Sequence, residues 1–324
     1  MHYGKELILL TKPFAREIRW KSWYYTLSTL ILLIFGIALT THSEYNPVLR
    51  LIISLLTGFM IVRFFVIYHD NQHHAILHQS IPARIIFGLF GIYVLAPTSI
   101  WKRSHDYHHN HNSKLFSASI GSYPIMTVQK FRQSSKAEQR LYLAIRHPLT
   151  IFFGYISMFL LGMCLRSFLS APKRHWDSLL AIILHVAVTV WMIITFGWIM
   201  WLFVIIIPFM TACGIGAYLF YAQHNFPGVK FDDKEDWKYE VAALHSSSYM
   251  EMNSFWKWVT ANIGYHHIHH LNSRIPFYRL PEAMAALPEL QNPVITTLNP
   301  SDIWACFRLK VWDPEKKAMV GLND

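Results

Sequence analysis

Charge is scarce in this chain. Only 15% of its 324 residues are Asp, Glu, Lys or Arg, whereas 53% are hydrophobic; a soluble domain carries about a quarter charged residues. Cysteine is scarcer still. Cys164, Cys213 and Cys306 are scattered and form no CxxC pair, which excludes a disulfide framework and a thiolate metal site and leaves them as small buried apolar residues. There is no GxGxxG nucleotide fingerprint, no HPGG haem-donor signature and no HExxH zinc motif, since the residue after His69 is Asp70. Neither an internal repeat nor a low-complexity tract is present, so residues 1–324 are read as one domain.

What the chain has instead is long apolar runs. A bilayer-spanning helix needs about 20 mostly apolar residues. Residues 24–41 and 48–68 meet that requirement, the second interrupted by Arg50 near its start and by Arg63, and 178–220 is long enough for two spans, 178–196 and 198–220. Met1 to Lys21 is polar and basic without a cleavage-like site, so no secretory signal is expected there. The formal net charge of +10 does not point to nucleic acid. The basic residues flank the apolar runs, from Lys5 to Lys21, from Lys102 to Arg146 and again after 220, whereas the short connection at 41–47 has none. That asymmetry follows the positive-inside rule and places both termini and the central segment in the cytoplasm.

Histidine is abundant. Twelve of the 19 fall in three short clusters: His69, His73, His74 and His78; His105, His108, His109 and His111; His266, His267, His269 and His270. Residues three and four apart share a helix face, so His69 with His73, His105 with His108 and His109, and His266 with His269 and His270 can each aim imidazoles at one point. Neutral imidazole suits iron, zinc, copper or nickel. Eight such ligands exceed the capacity of one ion, and two ions follow. His74, His78, His111 and His267 fall outside the repeated spacing.

All ligands must meet on one side of the membrane. Residues 85–97 are too short to cross and are expected to lie in the interface. If 150–169 crossed, the second and third clusters would face opposite compartments. Parity therefore predicts four spans, with 150–169 interfacial, its Arg166 and the nearby Arg146, Lys173 and Arg174 suiting that position.

The pattern HDxxH at His69–His73, HxxHH at His105–His109 and HxxHH again at His266–His270 resembles the three histidine boxes of the membrane fatty-acid desaturase family. Tyr221-Ala222-Gln223-His224-Asn225-Phe226 resembles the segment that brings in one further histidine. The segment from Asn262 to His270 is similar to acyl-lipid desaturases of the bacterial omega-6 (delta-12) type. The resemblance departs at His74, where glycine is frequent in the first box, and so leaves open whether His73 or His74 is the ligand.

The resemblance implies an all-α integral membrane protein with four transmembrane helices, interfacial helices and a cytoplasmic cap at 221–324, carrying a di-iron site and set in a bacterial inner membrane. It implies nine iron ligands: His69, His73, His105, His108, His109, His224, His266, His269 and His270. Asp70, Asp106, Asn110 and Asn225 are candidates to orient imidazole N–H groups. The implied reaction consumes O2 and two electrons and leaves a cis double bond in a fatty-acyl chain carried by phospholipid, CoA or acyl carrier protein. Electrons would come from an external donor such as a ferredoxin, rubredoxin or cytochrome b5-like protein. The rival readings are a di-iron hydroxylase or ketolase of an alkane, sterol or carotenoid, a zinc-dependent membrane hydrolase, and a metal transporter. His185 lies within a span, where an interhelical hydrogen bond is its expected role.

Overall fold

The computed structural model describes residues 4–42, 44–115, 123–232 and 235–322. They are mostly helical and gather into two units, one built from 18–103 and 152–217, the other from 1–17, 104–151 and 218–324.

The first unit holds the apolar helices: α1 (Arg19–Thr40), α2 (Pro47–Gln72), α3 (Ile81–Tyr93), residues 98–103 of α4 (Thr98–His111), α5 (Trp176–Trp201) and most of α6 (Ile207–Ala222). Asn46 starts α2, its side chain accepting from the Leu49 amide, with proline in the first turn where no amide hydrogen is required. Helices α1 and α2 pack along small residues; a Cβ on Gly36 would lie 2.6 Å from Thr57 Oγ1. Arg63, a charge deep inside the second run, is buried and donates from Nε to Thr29 Oγ1 at 3.1 Å. Ile31, Ile34, Phe35 and Ile194 are exposed, an outward apolar surface that suits lipid rather than water.

Three helical stretches are long and apolar enough to cross a bilayer, Arg19–Thr40, Pro47–Gln72 and Trp176–Ala222. The last has 47 residues, about 70 Å if straight, more than twice a hydrocarbon core of ~30 Å. It is not straight. Gly197 has φ 84° and ψ 163°, a conformation open essentially to glycine alone. Beyond it, Trp201 Nε1 donates to Thr189 Oγ1 at 3.3 Å. Residues that far apart in a continuous helix would be separated by about 18 Å, so the chain reverses at Gly197, between the two runs at 178–196 and 198–220. Ser54 Oγ then donates to the Phe203 carbonyl at 2.7 Å, and a Cβ on Gly58 would lie 2.8 Å from Thr211 Cβ. Helix α2 and the segment after Gly197 therefore run parallel.

Of the segments expected to be interfacial, 85–97 falls largely on α3, and 150–169 holds a π-helix, Tyr155–Arg166, followed by Ser167–Ser170. That stretch is shorter than a span. A π-helix of 12 residues is unusual and was not expected from the sequence. Tyr155 there is hydrogen-bonded to His185 of α5 through its hydroxyl.

The second unit is built around shorter helices, including α7 (Tyr239–His245) and α8 (His266–Leu271). Lys136–Ile145 opens with a capping box between Ser135 and Glu138. The all-helical expectation misses two small sheets in this unit: β1 (Tyr249–Glu251) pairs parallel with β2 (Ile295–Thr297), and β3 (Val311–Asp313) pairs antiparallel with β4 (Ala318–Val320). Each strand is three residues long, too short to leave a period in the sequence.

Candidate metal centre

Within the second unit, seven histidines converge in two groups. His108, His224, His266 and His270 form one; His105, His109 and His269 belong to the other, with ligand atoms within 4.8 Å of one another inside each group. All except the half-buried His224 are buried. The geometry comes from helical spacing. In α4, His105 and His109 are one turn apart and their Nε2 atoms are 3.1 Å apart; in α8, His266 and His270 repeat this at 3.1 Å.

The third histidine of each box goes to the opposite group. His269 Nε2 lies 3.1 Å from His109 Nε2, while His108 Nε2 lies 3.0 Å from His224 Nε2. His224 in turn is 2.9 Å from His266 Nε2. Positions i+3 and i+4 flank position i on opposite sides, so one box serves two centres. The rings of His109 and His270 stack between the groups with centroids 4.1 Å apart.

These distances test whether the residues fit a metal. Neutral imidazoles have one N–H each and cannot all donate around a ring of mutually facing Nε2 atoms. Metal–nitrogen bonds of about 2.1 Å at right angles put neighbouring nitrogens ~3.0 Å apart, close to the 2.9–3.1 Å observed. Burial also keeps the imidazoles in the neutral, ligating form. It pushes His224 down to about 4, opposed by the Ser246 carbonyl, and holds His270 well below the usual histidine range, with His266 and His224 adding to the effect.

His224 sits just past the end of α6, on a turn fixed residue by residue. Its Nδ1 donates to the Ser246 carbonyl at 2.9 Å, leaving Nε2 with a lone pair for the cluster. Gln223 donates from Nε2 to the Ile263 carbonyl at 2.9 Å, tying the turn to the chain entering the third box. There Gly264 is required, because a Cβ would lie 2.4 Å from the Met250 carbonyl oxygen. Asn225 does not serve an imidazole: its Oδ1 accepts from Arg146 Nη2 at 2.6 Å and its Nδ2 donates to the Cys306 carbonyl at 2.7 Å. Arg146 is fully buried and also donates to the Pro124 carbonyl at 2.9 Å. Sequence reasoning read Arg146 only as a cation suited to an interfacial position, whereas it is buried at this turn, and it did not find Gln223 or the Ser246 carbonyl; their roles arise from contacts remote in sequence.

The remaining candidates are placed as follows. In the first unit, His69 and His73 close α2, buried, with ring centroids 4.7 Å apart. His69 Nδ1 lies 3.3 Å from Asp70 Oδ1, the contact that orients an imidazole with Nε2 outward. His74 is exposed at φ 60° and packs on His78 at 4.5 Å. In the second unit, Asn110 is exposed and donates to the Asp106 carbonyl, His111 stacks on Tyr107 at 3.9 Å, and His267 donates from Nε2 to the Leu290 carbonyl at 3.1 Å, away from both groups.

Comparison with known proteins agrees with this centre. A family model described as fatty acid desaturase matches residues 45–297. The "Fatty acid desaturase" of Bacillus subtilis (strain 168) is 30% identical over 325 residues, covering 99% of this chain and 92% of the relative. The "sn-1 oleoyl-lipid 12-desaturase" of Anabaena variabilis is 23% identical over 297 residues, 86% of this chain and 80% of its own. The chloroplastic "Omega-6 fatty acid desaturase" of Spinacia oleracea is 22% identical over 235 residues, 72% of this chain and 52% of the relative. With histidines sorted into two facing groups, a family model that matches residues 45–297 and a relative aligned over 99% of the chain, this protein belongs to the fatty acid desaturase family.

Proposed function

We propose that the protein is an O2-dependent di-iron desaturase that introduces a cis double bond into a fatty-acyl chain carried on a membrane lipid. The observation that carries this reading is the reciprocal sharing of the HxxHH boxes between two histidine groups, which supplies ligands for two ions and not one. Nine histidines would hold them: His108, His224, His266 and His270 around one ion, His105, His109 and His269 around the other, with His69 and His73 as the further two ligands. When bound, the irons supply the activation of O2 that breaking a methylene C–H bond requires; two hydrogens leave the chain and, with two electrons and two protons, O2 ends as two waters. The chain's own part is to keep every imidazole neutral and aimed. Asp70 fixes the tautomer of His69, and the Ser246 carbonyl fixes that of His224.

The reversal at Gly197 supports four spans rather than three, and the parallel course of α2 and α6 supports one compartment for the first box and His224. The distribution of Lys and Arg favours the cytoplasm, and the relatives in Bacillus subtilis and Anabaena variabilis favour a bacterial membrane. The lipid-linked carrier rests on the relatives named as oleoyl-lipid desaturases. Electrons come from a separate donor of ferredoxin, rubredoxin or cytochrome b5 type.

Expression in a host with saturated and monounsaturated lipids, followed by fatty-acid methyl ester analysis with double-bond localisation, tests the reading. A new double bond present with the native chain and absent with His269→Ala supports it. An O2-dependent hydroxylated product would move the reaction to the hydroxylase branch. Iron content in the purified native chain near two per protein, rather than zinc, checks the metal.

A further inference from the structure

Helix α3 lies in the first unit and buries Ala83, Phe87, Phe90 and Gly91. Another stripe, Arg84, Gly88 and Ile92, recurs at one-turn intervals with Ile85 and Leu89 beside it. Together with Thr98, Trp176 and Asp177 it lines a groove of about 330 Å3, within the size range of ligand sites.

Two residues in this groove have no explanation in the fold. Glycine inside a helix costs about 1 kcal/mol relative to alanine and is normally there for close approach or a positive φ. Gly91 has such a reason, since a Cβ would lie 3.0 Å from the Ala96 carbonyl oxygen and 3.1 Å from Tyr68 Oη. Gly88 has none: its φ is not positive, and nothing lies within 4 Å of where its Cβ would be. What the missing side chain leaves is space in the groove. Arg84 is exposed, and among the described residues its guanidinium makes no hydrogen bond or ion pair. The nearby acid is already engaged, with Asp177 Oδ1 accepting from Ser99 Oγ at 2.5 Å and Oδ2 from the Ser99 amide at 3.2 Å.

We propose that this groove seats one acyl chain of a bilayer phospholipid, with the headgroup phosphate held by Arg84. Ile85, Leu89, Ile92 and Trp176 offer apolar walls, and Arg84 to Ile92 spans about 12 Å of helix, enough to follow an extended hydrocarbon segment. A guanidinium at the end of an apolar groove complements an anionic head on an apolar tail, and its planar donors match a phosphate. This inference requires that the unit lies in a bilayer with α3 dipping from the interface at Arg84 toward the hydrocarbon at Ile92; it stands or falls separately from the chemistry at the histidines.

The test uses the full-length protein in lipid nanodiscs containing phosphatidylglycerol with a diazirine on one acyl chain, irradiated and mapped by peptide mass spectrometry. Labelling should concentrate on residues 84–92 and Trp176 and be competed by unlabelled phosphatidylglycerol. Gly88→Ala should leave it intact, while Gly88→Phe, which fills the groove, should lower it about tenfold, a loss of ~1.4 kcal/mol. Arg84→Gln should abolish the preference for phosphatidylglycerol over a diacylglycerol probe. Labelling spread evenly over exposed sites such as Ile31, Ile34 and Ile194, or unchanged in Gly88→Phe, overturns the proposal. Competition by inorganic phosphate as effective as that by the lipid would reduce the site to a phosphate site and overturns the acyl-chain seat. Should Gly88→Phe fail to fold, Gly88→Leu and the competition in the native chain decide.

Discussion

Arg146 Nη2 lies 2.6 Å from Oδ1 of Asn225, the residue that follows His224. Through this contact a fully buried guanidinium holds the ligand-bearing turn, while Asn225 fastens the same turn to the C-terminal segment at Cys306. Arg146→Gln should therefore lower stability by about 1.5–3 kcal/mol, the range for a hydrogen bond to a charged group. Metal affinity should fall roughly 10- to 100-fold, as when an outer partner of a ligand is lost. Thermal melting and metal titration of the purified variant read the two effects separately. A variant that is destabilised but binds metal as the native chain does would show that Arg146 supports the fold alone.

The histidine sorting makes a sharper forecast. His270→Ala should lose bound metal and activity together. His267→Gln, one bond network away at the Leu290 carbonyl, should cost about 1–3 kcal/mol of stability from its buried polar contact and keep its metal. The exposed His74→Ala and His78→Ala should fall within about ±0.5 kcal/mol of the native chain and remain active. Elemental analysis beside product assays distinguishes all four; metal loss in His74→Ala would reassign the first box.

Lys310 carries a pH prediction. Burial, reinforced by the nearby Arg146 charge, pulls its pKa from 10.5 down to about 8, and its Nζ donates to the Arg146 carbonyl at 3.2 Å. Because the folded-state value is the lower one, the unfolded chain binds more protons between about 8 and 10.5. Stability from this group accordingly rises as pH climbs through that window. Denaturation of the native chain and of Lys310→Met across pH 7.5 to 11 checks it: the difference between them should shift in favour of the native chain with rising pH, and a flat difference rejects the assignment.

At Gly197 the backbone conformation, rather than contact, is decisive. No neighbour would meet a Cβ there, yet φ is 84°. Gly197→Ala should destabilise by about 1–3 kcal/mol through strain, whereas Gly88→Ala, on a regular helix, should stabilise by up to about 1 kcal/mol. Thermal unfolding of the two variants in the same detergent gives opposite signs.

Much of this was legible in the sequence because it depends on short-range periodicity. The runs at 24–41, 48–68 and 178–220 and the pairing of His105 with His109 follow from one helical turn. The excess length of the last run forced a break, and Gly197 is where it occurs. The sorting was not legible, because it depends on α8 meeting α4 across 160 residues, from His109 to His269. Asn225 illustrates the limit: adjacent to a ligand in sequence, it turns to Arg146, 79 residues away. The π-helical Tyr155–Arg166 and the two short sheets left no signal for the same reason, being settled by their neighbours rather than by their own composition.

The crossed boxes also bear on how the protein is assembled. A centre whose ligands all came from its own helices could fill and empty alone. Here α4 and α8 each divide their side chains between both groups, so docking the two helices organises both cavities at once, and separating them dismantles both. Loading should consequently behave as a single cooperative event, in which a half-filled chain is a scarce species and chelation proceeds from fully charged to bare without a plateau between.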